Sequence, residues 1–161
     1  TDTEEGFWIP SDADRDDESN WLLTDRVRSK IKAIPAKHVM VVADSCFSGK
    51  FTRSSITRAL NIERRSAEYL PTLQRLVKTK SRTVLTAGGL EPVMDSGGGG
   101  SHSVFARAFI SILRNNDWVL DAAELFSQLR PKVMDNSPQT PEYSTIHEAG
   151  HDGGDFLFVR K

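Results

Sequence analysis

Apolar positions along this chain come in short blocks whose period changes from one block to the next. Val39, Met40, Val41, Val42 and Ala43 form an unbroken, mostly β-branched run of the kind found in a strand buried on both faces. Upstream, Leu23, Val27, Ile31 and Ile34 recur at helical spacing, with Arg26, Arg28, Lys30 and Lys32 on the other faces. Thr24 offers that helix an N-cap and Pro35 stops it. A helix that feeds a buried strand is half of a βαβ unit, so a parallel sheet is the first expectation. Before the helix, residues 7–9 read as a short strand ended by Pro10, and residues 11–20 as a loop too polar to pack. After Ala43 the run gives way to a polar, small-residue turn, D-S-C-F-S-G, over residues 44–49.

Beyond that turn, residues 50–82 are basic: Arg53, Arg58, Arg64, Arg65, Arg75, Lys78, Lys80 and Arg82 stand against Glu63 and Glu68. The first part reads as a long loop, with a helical turn around 62–69. Residues 70–77 are better helix, with Leu73, Leu76 and Val77 on one side. Residues 82–87 form a second short buried strand that also ends in a glycine turn, and residues 88–102 make a long loop containing Gly97 to Gly100. Loops of that length in compact domains are usually functional or disordered.

Ser103 caps a helix whose apolar face is Val104, Phe105, Ala108, Phe109 and Ile112. Asp121 and Glu124 make a capping-box-like start to another, striped by Leu125, Phe126 and Leu129. Residues 138–152 read as loop and 155–159 as a last strand. The pattern is that of one α/β domain spanning residues 1–161, without internal repeats.

Composition narrows the function. A length of 161 residues suits one domain with an ordinary core, and a net charge of −1 gives no reason to expect nucleic acid or an acidic membrane as partner. No run approaches the roughly 18 apolar residues of a membrane span. The acidic opening T-D-T-E-E-G lacks the basic and apolar regions of a signal peptide. One cysteine excludes an internal disulfide and fits a reducing, cytoplasmic compartment. With no initiator Met before strand-like F-W-I-P, the chain is expected to start in mid-domain.

That one cysteine, Cys46, sits where the central strand would deliver its carboxyl end, the edge at which ligands bind in open α/β sheets. A thiol becomes a nucleophile only as thiolate, with a base or positive field beside it. Ser45, Ser48 and Gly49 would let a substrate backbone approach, and the Cys46 N–H would face a developing oxyanion. The competing reading is an inert buried thiol, but such a thiol does not need a polar, glycine-ended turn.

A-D-S-C-F-S-G after an apolar strand resembles the cysteine turn of caspase-like peptidases, specifically the bacterial metacaspase (orthocaspase) branch. F-W-I-P-S-D-A is similar to the segment that follows the catalytic histidine in that family, and I-K-A-I-P-A-K-H-V-M-V-V to the helix and strand before the cysteine. T-A-G-G-L-E-P-V and H-S-V-F-A-R-A-F resemble its later active-site loop and the helix beyond, and A-G-H-D-G-G-D-F-L-F-V its closing strand. The resemblance implies a three-layer sandwich, a mostly parallel sheet with helices on both faces, whose N-terminal strands are missing from this chain. It implies a cysteine endopeptidase that cleaves after Arg or Lys through a Cys–His dyad, with Cys46 as nucleophile, Ser48 beside the substrate and Asp44 lining the S1 pocket, where its carboxylate attracts a basic P1 side chain. For Asp44 the alternative is a strand-end cap that bonds turn amides.

In that family the dyad histidine lies in a G-H-G-type turn upstream of F-W-I-P, and none of the four histidines here stands in such a turn. The histidine is therefore expected on a complementary N-terminal fragment; the alternative is a catalytically inactive caspase-like binding or regulatory module. His38 reads as a half-buried strand residue, and His147 and His151 as loop groups. His102, at a helix start, is the one candidate to act on the thiol from within the chain. The basic stretch 50–82 reads either as a solvated loop or as a linker cut in self-processing. No cofactor is expected beyond the calcium on which some metacaspases depend. The acidic cluster Asp12, Asp14, Asp16, Asp17 and Glu18 would be its site, but the spacing fits no EF-hand loop and a solvated loop is preferred.

Overall fold

The computed structural model describes residues 6–14, 16–46, 52–55, 69–88 and 102–160, with only the backbone path for Cys46 and residues 52–55. The elements are β1 (Phe7–Trp8), β2 (Leu22–Leu23), α1 (Thr24–Ala33), β3 (His38–Cys46), β4 (Thr52–Ser55) and α2 (Tyr69–Lys78). They continue with β5 (Ser81–Gly88), α3 (Val104–Arg114), β6 (Val119–Asp121), α4 (Ala122–Met134), β7 (Glu142–Ile146) and β8 (Leu157–Val159).

The main sheet has the order β3-β5-β7-β4. β3 and β5 are parallel, in register from His38 opposite Ser81 to Ala43 opposite Thr86. β7 runs antiparallel to both its neighbours, so the sheet is mixed where a parallel one was expected. The cause is a strand inside a stretch read as loop. E-Y-S-T-I has little apolar content, yet Tyr143, Ser144 and Ile146 are buried, because α1 covers Ile146 on one face of the sheet and α3 and α4 cover Tyr143 on the other. A second difference lies in residues 50–82, where Thr52–Ser55 pair with β7. The helical turn expected around 62–69 falls mostly on residues 56–68, outside the described residues.

Two apolar clusters fix what packs on each face. Val84, Val39, Val41 and Ile146 meet Ile31 and Val27 of α1. Leu85, Ala87, Tyr143 and Met40 meet Val104, Phe105, Ala108 and Ile112 of α3, together with Leu125, Phe126, Leu129 and Val133 of α4. Period-2 alternation along β3 and β5 thus divides their apolar residues between α1 on one side and α3 and α4 on the other. β6 and β8 pair separately, and Phe158 sets its ring edge against Phe109 of α3 at 6.2 Å. α3 begins as the sequence predicts, with the Ser103 hydroxyl accepting the Ala106 N–H at 2.9 Å. α4 begins on Asp121, whose Oδ1 accepts the Glu124 N–H at 2.8 Å. α1 starts one residue earlier than expected, at Thr24, with no side-chain cap from Leu23.

β1 and β2 form a small antiparallel ribbon, Phe7 opposite Leu23 and Trp8 opposite Leu22. The acidic loop between them satisfies its own backbone. Asp14 Oδ1 accepts the Asp16 N–H at 3.0 Å, and Asp17 Oδ1 accepts the Ser19 N–H at 2.9 Å. Those bonds from Ser19 hold the Asp17 carboxyl below its ordinary value.

Two polar devices brace the sheet against its helices. Arg82 is fully buried; its Nη1 donates to the Lys37 and Ser81 carbonyls (3.0 and 2.7 Å) and its Nη2 to those of Ile34 and Ala36 (both 2.8 Å). The guanidinium therefore collects the carbonyls of the α1–β3 turn, at the negative end of α1, where a cation is favoured. On the face covered by α4, Tyr69 donates its hydroxyl to Asp121 Oδ2, and Tyr143 donates to Asp155 Oδ1 at 2.5 Å. Asp155 also accepts the N–H groups of Ala123 (3.0 Å) and Phe156 (2.7 Å). Two carboxylates thus meet the positive end of α4. Burial nevertheless dominates and pushes the Asp155 carboxyl up to about 6, and burial followed by the Asp155 charge raises the Tyr143 hydroxyl as well. Among the described residues no helix is long and apolar enough to cross a membrane.

Candidate active site

The strand that carries Cys46 does not stop at Ala43 as the hydropathy pattern implies. β3 continues through Asp44, Ser45 and Cys46, with a register shift: Ala43 faces Thr86 and Cys46 faces Gly88. Three steps on β3 are thus matched by two on β5, which is a bulge. Bulges bend a strand and re-aim its side chains, and they occur often beside active sites. The backbone polar groups of D-S-C are in part satisfied by β5, which explains how so polar a triplet remains in the sheet.

At this carboxyl edge the parallel pair places Cys46 beside Gly88, the residue from which the expected active-site loop departs. Asp44 is exposed there, and its Oδ2 accepts the hydroxyl of Ser103 at 2.5 Å. That bond brings the start of α3 to the same edge. Ser103 had been read only as a helix cap. Its second role spans 59 residues of sequence and leaves no local signal, so only the fold reveals it. The contact also differs from the expected alternative for Asp44, in which the carboxylate bonds turn amides. Ser48 and Gly49, and residues 89–101 of the later loop, lie outside the described residues.

No family model, curated protein or solved structure matches this chain.

The histidines separate cleanly by position. His38 Nε2 donates to the Thr79 carbonyl at 3.0 Å, and His151 Nδ1 accepts the Arg82 N–H at 3.2 Å. Accepting at Nδ1 leaves the neutral His151 ring with its proton on Nε2. Burial lowers the His151 pKa, against the opposing charge of Asp152. His147 follows β7 at the same end, with Nε2 3.5 Å from Glu148 Oε1. With Lys32, Glu148 and Gly150, His147 and His151 line an open cleft of about 550 Å³. Arg82 and Gly88 stand about 20 Å apart along β5, at roughly 3.3 Å per residue. His38, His147 and His151 therefore sit at the amino end of the parallel pair, out of reach of Cys46.

His102 is the exception. It precedes Ser103 and so lies on the Cys46 side of the sheet. It is exposed and lines a cleft of about 520 Å³ along α3 with Arg107, Ser111 and Arg114. Among the described residues, no three His, Cys, Asp or Glu side chains are grouped to hold a metal.

Proposed function

We propose that this chain is the larger part of a caspase-like cysteine endopeptidase that cleaves after Arg or Lys, with its sheet and two helical layers forming the three-layer sandwich of that class. The observation that carries the reading is D-S-C at the carboxyl edge of a parallel strand pair, with Asp44 exposed two residues before Cys46. Asp44 binds the cationic P1 side chain, and Ser48 borders the approach of the substrate backbone. The Cys46 thiolate attacks the scissile carbonyl, forming the C–S bond, and the Cys46 N–H helps hold the oxyanion. An imidazolium then protonates the leaving amine as the C–N bond breaks, and water hydrolyses the thioester.

The imidazole comes from a segment outside this chain. In support, β5 is the only neighbour of β3 among the described residues, and Val42 on β3 is 43% exposed. A further strand beside β3 would cover that edge and end beside Cys46. The basic stretch 50–82 serves in this reading as a linker whose Lys and Arg residues are sites of self-processing. A lone thiol suits a cytoplasmic setting.

The separation of His38, His147 and His151 from Cys46 favours a second reading, a catalytically inactive caspase-like binding module, should no histidine-bearing segment exist. Fluorogenic peptides separate the two. The full-length protein hydrolyses an Arg- or Lys-P1 substrate, and Cys46→Ala abolishes this. Hydrolysis of an Asp-P1 peptide instead contradicts the role of Asp44. His102→Ala leaves the rate intact if the base comes from elsewhere, whereas loss of activity in a folded His102→Ala protein makes His102 the base.

A further inference from the structure

Asp44 is exposed, and an exposed carboxylate would ordinarily sample several rotamers. Here one of its oxygens is taken. The Ser103 hydroxyl lies 2.5 Å from Asp44 Oδ2 and 2.9 Å from the Ala106 nitrogen. An ionised carboxylate only accepts, so the Ser103 O–H must donate to Asp44. A backbone N–H only donates, so the same oxygen accepts from Ala106. Both ends of the hydroxyl are thereby fixed, and each bond polarises the other. The Ala106 N–H belongs to the first turn of an eleven-residue helix, whose positive end is thus relayed to the carboxylate through one hydroxyl. Ser103 is itself buried, so water does not compete freely for the contact.

We propose that Ser103 is a positioning residue for specificity: it holds the Asp44 carboxylate in the orientation that receives a cationic P1 side chain. The inference rests on the reading of Asp44 as the partner of that cation. A carboxylate already locked in place loses no rotamer freedom when the cation arrives, so preference for a charged P1 group depends on Ser103 as well as on Asp44. An O–H bond to a charged acceptor is among the stronger hydrogen bonds, short and directional. Its loss is expected to cost about a factor of ten in discrimination.

The test compares kcat/KM for peptides with Arg or citrulline at P1, which match in shape and differ in charge, in the full-length protein. Asp44→Asn brings the Arg/citrulline ratio near one. Ser103→Gly lowers the ratio about tenfold. Glycine is a tolerable N-cap, within a few tenths of a kcal/mol of serine, so α3 keeps its start while the hydroxyl is lost. Ser103→Thr keeps the hydroxyl and holds the ratio within about twofold. If Ser103→Gly retains the wild-type ratio while Asp44→Asn abolishes it, the role of Ser103 is overturned and that of Asp44 stands. If Asp44→Asn leaves the ratio unchanged, the reading of Asp44 is itself wrong and Ser103 has nothing to position.

Discussion

Asp155 makes the stability of this fold depend on pH in a direction opposite to that of most carboxylates. Burial moves its carboxyl from 3.8 to about 6, despite bonds from Tyr143, Ala123 and Phe156 that favour the ion. Between those values the folded protein binds more protons at this site than the unfolded chain does, so unfolding free energy falls as pH rises. The contribution of the protonated form is fully present below 3.8 and is gone once pH passes about 6. The difference corresponds to about 3 kcal/mol. Urea unfolding of wild type and Asp155→Asn from pH 4 to pH 7 isolates the effect, since other titrating groups cancel between the two proteins. Asparagine cannot ionise, but its amide can still accept from Ala123 and donate to a rotated Tyr143 hydroxyl. Wild type should therefore lose most of that 3 kcal/mol relative to the variant across the interval. A constant difference across it refutes the argument, and a rising one means that the hydrogen bonds to the ion outweigh its burial.

Other substitutions test the remaining locks. Arg82→Met leaves the Ile34, Ala36 and Lys37 carbonyls without their shared donor and should cost about 2–4 kcal/mol in urea unfolding; a cost below about 0.5 kcal/mol would mean that water replaces the guanidinium freely. Gly154→Ala would put a methyl group 2.3 Å from the Thr79 carbonyl oxygen, so it should cost about 3 kcal/mol. Gly153→Ala meets no atom, and its cost of about 1 kcal/mol comes from a φ of +75° alone. Val84→Thr should cost about 2 kcal/mol, because Val84 is fully buried between β3 and β7; Val42→Thr, at an exposed position, should stay within about 0.5 kcal/mol.

Where local pattern and packing agree, the sequence was readable: the apolar stripes of α3 and α4, their Ser103 and Asp121 caps, and the apolar strand up to Ala43. It failed where neighbours rather than residues decide. β7 is a strand because β5 and β4 flank it, and Thr52–Ser55 because β7 does. The apolar run of β3 suggested cover on both faces, and its residues do pack against α1 on one face and α3 and α4 on the other. At the candidate site, the sequence puts Cys46 and Asp44 just after the apolar run, while the role of each is implied only by the resemblance. The bulge at Asp44, the Ser103 contact and the placement of His38, His147 and His151 far from Cys46 are products of register, which no local motif encodes.

Among the described residues β3 pairs only with β5, and that carries a kinetic signature. Successive residues of a strand turn their N–H groups to opposite edges. Alternate amides of β3 therefore face β5 and should exchange with deuterium only when the sheet opens. Those between them face the edge that no strand among the described residues covers, and they should exchange orders of magnitude faster. Residue-resolved exchange along β3 should thus rise and fall with a period of two. A strand arriving beside it would flatten that pattern, reporting on assembly without any need for catalysis.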